Sequence, residues 1–121
     1  MKKKEKEKLY IYQVMDCNKV LFKLIQQQST FPFSIGFKIF QLSKKFDEVE
    51  EYVFNLMEDT SEDFNFKTMT DNQKMFYSSV LSSEIELEYE KIPMKFFEQN
   101  DDLKLTVEDI EKMMIILEKE N

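Results

Sequence analysis

Two stretches of the chain carry unmistakable hydrophobic patterns. Residues 84–90, EIELEYE, alternate strictly: Ile85, Leu87 and Tyr89 fall on one side, Glu84, Glu86, Glu88 and Glu90 on the other. Period-two alternation is the signature of a half-buried strand with one solvent face. From Ile35 the apolar residues recur as Ile35, Ile39, Leu42, Phe46, Val49, Val53 and Leu56, in steps of 4, 3, 4, 3, 4 and 3. That is an a/d stripe, and it predicts a long helix over 34–58. Two destinations are open for the stripe, the core of one domain or the seam of a coiled-coil dimer. Phe37, Phe40, Tyr52 and Phe54 widen the apolar surface beyond a narrow seam. They favour a core position or a second contact surface.

Weaker patterns fill in the rest. Residues 9–14, LYIYQV, are rich in β-formers and read as a strand, with the charged arm MKKKEKEK (1–8) ahead of it. If the strand reaches back into the arm, Lys4, Lys6 and Lys8 share one side of it and Leu9 and Ile11 the other. They would then stand in phase with the strand glutamates. Asp16 is placed to cap a helix over 17–28, and Ser29 to Pro32 to turn the chain. A polar connector (59–63) leads to FNFKTM (64–69), a candidate edge strand. Thr70 and Gln73 stand in the positions of a capping box opening a helix over 71–82, with Phe76 and Val80 inward. Pro93 ends the acidic strand. Thr106 and Asp109 form a second box, and Val107, Ile110, Met114 and Leu117 predict the inward stripe of a last helix.

The expected fold is α+β: a two- or three-stranded sheet packed on one long helix and three shorter ones, in the order β–α–α–(β)–α–β–α. At 121 residues the expected organisation is the arm 1–8 followed by one domain, 9–121.

Composition then removes chemistries. The chain has no His, Trp, Arg or Ala, and a single glycine, Gly36. Such a skew implies an AT-rich genome. Without His, Cys17 lacks the usual base of a nucleophilic site, and one glycine cannot build a phosphate-cradling loop. Cys17, alone among apolar residues, reads as a small core residue. Asp59, Ser61 and Asp63 mimic the opening of a calcium loop, but Phe64 replaces its glycine and Thr70 its bidentate glutamate. No catalytic, cofactor-binding or metal-binding residues are therefore assigned, and the protein is expected not to be an enzyme. No run approaches the ~20 apolar residues of a membrane span, so a cytoplasmic protein without membrane contact is expected.

Charge is divided along the chain. Residues 1–45 carry ten Lys against Glu5, Glu7 and Asp16, a surplus of +7; the rest carries seven Lys against 21 acids, −14. Lys2, Lys3, Lys4, Lys6 and Lys8 are interrupted by Glu5 and Glu7, with no Arg for base readout, so direct nucleic-acid binding is not expected. The lysine-free block Asp47, Glu48, Glu50, Glu51, Glu58, Asp59, Glu62 and Asp63, with Tyr52 and Phe54, is the candidate partner-binding surface, suited to a protein with a basic face. Further acids cluster on the strand and at Glu98, Asp101, Asp102, Glu108 and Asp109. Ordinary solubilising charge is the competing explanation for all three groups. A monomer and a dimer both remain open.

The segments TFPFSIGFKIFQLSKKFDEVEEY, EIELEYEKIP and LKLTVEDIEKMMIILEKE, spread over about residues 9–118, together resemble a family of small uncharacterised phage proteins. The resemblance implies a phage or mobile-element origin and a non-enzymatic role. The function expected is an accessory or inhibitory protein that binds a host or viral complex, such as a basic nucleic-acid-handling nuclease. The alternative is a structural or assembly component of a virion or other multiprotein complex.

Overall fold

A computed structural model describes residues 5–27, 31–100 and 103–118. Lys2, Lys3, Lys4, Ser29, Asp101 and Asp102 lie outside the described residues. The elements are β1 (Glu5–Tyr10), α1 (Ile11–Gln26), α2 (Phe33–Glu58), a 3₁₀ turn (Phe66–Thr68), α3 (Asp71–Leu81), β2 (Glu84–Tyr89), β3 (Ile92–Pro93), α4 (Met94–Glu98), α5 (Val107–Met113), a second 3₁₀ turn (Met114–Ile116) and β4 (Leu117–Glu118). The fold is α+β, as the pattern predicts.

β1 and β2 pair antiparallel, with Leu9 opposite Ile85, Glu7 opposite Leu87 and Glu5 opposite Tyr89. On the other face Lys6 meets Glu88 and Lys8 meets Glu86, the phase expected from the sequence. The strand nevertheless lies at 5–10 and not at 9–14, so residues 5–8 of the charged arm belong to the sheet. Residues 11–14 are the first turn of α1. Their β propensity loses to a helical repeat that Ile11, Val14, Cys17, Asn18, Leu21 and Leu24 sustain into the core. Gln13 Oε1 accepts from the Tyr10 N–H at 2.9 Å, and the Ile11 N–H donates to the Ser83 carbonyl at 3.0 Å. Asp16, expected as a cap, therefore sits well inside the helix.

α2 runs where the stripe places it. Ile39, Leu42, Phe46, Val49 and Val53 are buried with Met57, while Ile35 and Leu56 are half-buried against the same core. The stripe is core and not a seam. α1 packs along α2 and α5, and α3 touches both α1 and α2. Phe46, fully buried, meets the Tyr89 ring edge-on at 5.8 Å between centroids. Tyr89 in turn donates its hydroxyl to the Ile115 carbonyl at 2.6 Å. That bond ties β2 to the C-terminal turn.

Three further expectations change. Residues 64–69 form no strand; Asn65 caps a 3₁₀ turn by accepting from the Lys67 N–H at 2.8 Å. α3 opens on the Thr70–Gln73 box as expected, but Phe76 is exposed and Tyr77 packs on the core with Val80. At the C-terminus the Thr106–Asp109 box holds, yet Val107 is 75% exposed and Ile110 and Met114 are also exposed. The buried residues are Met113, Ile116 and Leu117. Asp109 pairs with Lys23 of α1 and so turns the Asp109–Met113 side of α5 inward. The chain then tightens into a 3₁₀ turn, which breaks the helical phase. Leu117 belongs to β4, which pairs parallel with β3 through Ile92↔Leu117 and Pro93↔Glu118.

Candidate functional site

Helical geometry divides the acidic block of α2. Asp47, Glu50, Glu51 and Phe54 recur at three- and four-residue steps and share one flank. Glu48 and Tyr52, four apart, lie on the other. The two flanks face different neighbours.

On the second flank lysines stand alongside the acid without pairing with it. Glu48 shares a groove with Lys38, Gln41, Leu42, Lys44, Lys45, Tyr89 and Glu90. Lys38 pairs with Glu90 at 3.2 Å, and Lys45 reaches the Glu88 carbonyl. Of the strand glutamates, Glu86 and Glu88 stand opposite Lys8 and Lys6, and Glu84 stands opposite Tyr10. The described members of the third acidic group do not form one cluster. Asp109 pairs with Lys23, Glu108 pairs with Lys112 at 3.1 Å, and Glu98 stands apart on α4.

The first flank differs. Asp47, Glu50 and Glu51 rim an open depression of about 550 Å³ whose walls are Met15, Val53, Phe54, Phe66 and Tyr77. α1 contributes Met15, α2 the carboxylates and Phe54, the 3₁₀ turn Phe66, and α3 Tyr77. No lysine lines it. Among the described residues, none of the acids from Asp47 to Asp63 takes part in an ion pair.

The rings form a connected cluster. Phe66 meets Phe64 edge-on at 4.7 Å and Tyr77 at 5.3 Å, and Phe54 lies 6.1 Å from Phe66 at a 36° tilt. Phe66 and Phe54 nonetheless remain substantially exposed.

The electrostatics follow from this geometry. Asn18, buried between α1 and α2, donates its Nδ2 to Asp47 Oδ1 at 2.8 Å; its Oδ1 has no hydrogen-bond partner among the described residues. Burial pushes the Glu50 carboxyl above its ordinary range. A hydrogen bond from Asn18 opposes that shift, the Asp47 charge adds to it, and Lys19 subtracts from it. The Tyr77 hydroxyl is also pushed up, by burial first and then by the charges of Glu50 and Asp16. The depression is thus a negative, mostly apolar hollow.

Glu58, Asp59, Glu62 and Asp63 are exposed beyond it, at the C-terminal end of α2 and in the following turns. α2 has no basic residue in its last turn. Acids at the negative end of a helix dipole oppose stability, each by about 0.3–1 kcal/mol.

Of the expected partner-binding residues, the structure therefore brings together Asp47, Glu50, Glu51 and Phe54, and separates Glu48 and Tyr52. Met15, Phe66 and Tyr77 were not legible as members. The Phe66 segment read as a strand, and Phe76, equally well spaced from Val80, stood in for Tyr77. Cys17 is fully buried, with its thiol pushed up to about 12 by burial and then by Asp16. Among the described residues no three acidic or cysteine side chains converge as a metal site, and no helix is long and apolar enough to cross a membrane. No protein-family model, curated protein or solved structure matches the chain.

Proposed function

We propose that the protein is a non-enzymatic, acidic protein-binding module that docks on a basic surface of a partner through the depression beside α2. The proposal extends to a phage-encoded accessory or inhibitory protein, acting in the host cytoplasm on a complex such as a basic nucleic-acid-handling nuclease. One observation carries the reading. Asp47, Glu50 and Glu51 are held together with no ion pair among the described residues, beside exposed aromatic rings and with Lys19 only in the adjoining groove, while Glu108 and Asp109 of α5 pair with lysines and Glu86 and Glu88 of the strand face Lys8 and Lys6. Keeping Glu50 ionised against burial, and placing Glu58 and Asp59 at the wrong end of a dipole, both lower stability. Costs of that kind are retained where the charges serve binding. Fields of this sign also speed encounter with a basic partner, and salt screens them.

The test begins with affinity capture of the partner. Asp47→Lys, Glu50→Lys and Glu51→Lys are then combined, with the fold checked by circular dichroism. The expected result is loss of affinity together with loss of its salt dependence. Unchanged affinity and unchanged salt dependence would refute the reading.

A second reading, a structural or assembly component, is favoured by a different observation. Phe33, Phe37 and Phe40 follow one another along the solvent side of α2, with Phe33 86% exposed and stacked on Phe37 at 6.0 Å. Exposed apolar rows of this kind mark interaction surfaces. Sedimentation equilibrium separates the two: a symmetric oligomer supports assembly, a monomer at all concentrations removes it.

A further inference from the structure

We infer that the depression beside α2 is an arginine-binding site, in which the guanidinium of a partner protein lies on the faces of Phe54 and Phe66 while its N–H fork meets the carboxylates of Glu50 and Glu51. The inference rests on the basic-partner reading above and specifies its chemistry.

Three features select this occupant. The first is reach. Glu50 and Phe54 are four residues apart on α2, Glu51 and Phe54 three apart, so their side chains are helical neighbours with Cβ atoms about 5–6 Å from one another. One planar group resting on Phe54 is within range of both carboxylates. Asp47 stands one turn further along and closes the negative rim.

The second is the lining. Phe64 and Tyr77 brace Phe66 edge-on, at interplanar angles of 79° and 66°. Phe66 and Phe54 lie 6.1 Å apart at a 36° tilt, Phe64 packs edge-on against Phe54 as well, and both Phe54 and Phe66 keep exposed surface. A guanidinium is flat, weakly hydrated and stacks on ring faces. A lysine ammonium is a compact, strongly hydrated point charge that loses its water in an apolar hollow. The guanidinium also offers two parallel N–H groups to a carboxylate, a match an ammonium lacks.

The third is the chain's own composition. It contains no arginine, so neither an internal residue nor a second copy of the chain can supply the guanidinium. Lys19, whose charge is felt at Glu50, shares an adjoining groove with Asp47 and Glu50 and does not line the hollow itself. A guanidinium in the hollow is therefore supplied from outside these 121 residues.

The test uses three acetylated, amidated hexapeptides, identical except for arginine, lysine or citrulline at one central position. Each is titrated into the full chain, and binding is followed through the aromatic NMR signals of Phe54, Phe66 and Tyr77. The arginine peptide is expected to bind about fivefold more tightly than the lysine peptide, the equivalent of one cation–π contact. Citrulline, flat but neutral, should not bind measurably. Phe54→Leu combined with Phe66→Leu should bring the arginine and lysine affinities together; if that pair does not fold, Phe54→Leu alone should narrow the gap. Glu51→Gln should weaken both cationic peptides, and Glu48→Gln, on the lysine-lined flank, neither.

Equal affinity for arginine and lysine in the unaltered protein overturns the arginine site. So does no detectable binding of the arginine peptide, or shifts centred on the groove around Tyr89. If equal affinities still fall with Glu51→Gln, attraction for a basic partner survives and only the guanidinium specificity fails. If the captured partner's affinity is also indifferent to the acids, both readings fail together.

Discussion

Phe46 is the residue on which the packing of α2 can be tested most sharply. It is 0% exposed, and its ring meets Tyr89 edge-on at 88°. Phe46→Ala removes a fully buried aromatic, a transfer loss of about 1.5–3 kcal/mol. The edge-to-face contact adds roughly 0.5–1.5 kcal/mol. A cavity term follows in proportion to how little the surroundings collapse. Here collapse is restricted, because Tyr89, the ring best placed to swing inward, is held by its hydroxyl on the Ile115 carbonyl. The expected cost is therefore about 4–5 kcal/mol, the upper part of the range for such truncations. That is a quarter or more of the stability of an ordinary domain, roughly 5–15 kcal/mol. Urea denaturation followed by far-UV circular dichroism measures it, with the slope of the transition unchanged if the native state keeps its shape. Phe40→Ala is the internal control: the same substitution on the same helix, at a ring 52% exposed whose described contact is Lys44 at 5.2 Å. It should cost under about 1 kcal/mol. If the two variants differ by less than ~1 kcal/mol, α2 does not present the Phe46 side to the core.

Three further outcomes follow from the charges and the thiol. Glu50 carries a carboxyl raised chiefly by burial, so its ionised form weighs against the folded state, and its contribution becomes more favourable as pH falls through the raised value. Glu50→Gln should leave stability at neutral pH unchanged or higher while weakening partner binding, and a clear loss of stability would contradict the electrostatics described. Asp109 is lowered, first by the hydrogen bond from Lys23 and then by the Thr106 backbone, so its contribution is present above the unfolded value of about 3.9 and is lost as pH falls through the folded one. The stability gap between the unaltered protein and Asp109→Asn should shrink below about pH 4; a gap independent of pH would mean that the Asp109 charge contributes nothing. Cys17, fully buried with its thiol pushed up to about 12, should react with aromatic disulfide reagents only at the rate of unfolding. Rapid stoichiometric labelling of the native protein would contradict that burial.

What could be read beforehand was whatever a single periodicity decides. The strand at 84–89 and the helix at 33–58 each bury one side of a long, regular pattern, and both stand where the pattern puts them. The Thr70 and Thr106 caps were equally local and equally readable. Sequence and structure part where two local signals compete. Ile11 and Val14 satisfy both a strand and the start of a helix, and only packing against α2 and α5 decides. Phe76 and Tyr77 are interchangeable by spacing, and the rings around Phe66 select Tyr77. The acid block was visible as composition. The lysines beside Glu48 belong to α2 itself, whereas the apolar walls of the other flank, Met15, Phe66 and Tyr77, come from α1, the 3₁₀ turn and α3, which no run of residues in α2 encodes.

β1 passes into α1 without an intervening residue: Tyr10 ends the strand and Ile11 begins the helix. Adding or deleting one residue before this junction would turn the strand's side chains to the opposite face. One beyond it would rotate the downstream part of the helix by about 100°. Neither shift can be taken up by slack, so in any lineage of this protein the spacing from Leu9 to Leu24 should be nearly invariant in length. The connector after Glu58, built of exposed turns, can gain or lose residues without moving a core position. Natural length variation, and the insertion points an engineer could use, should therefore gather after α2, at the edge of the proposed binding face, and leave the amino-terminal third untouched.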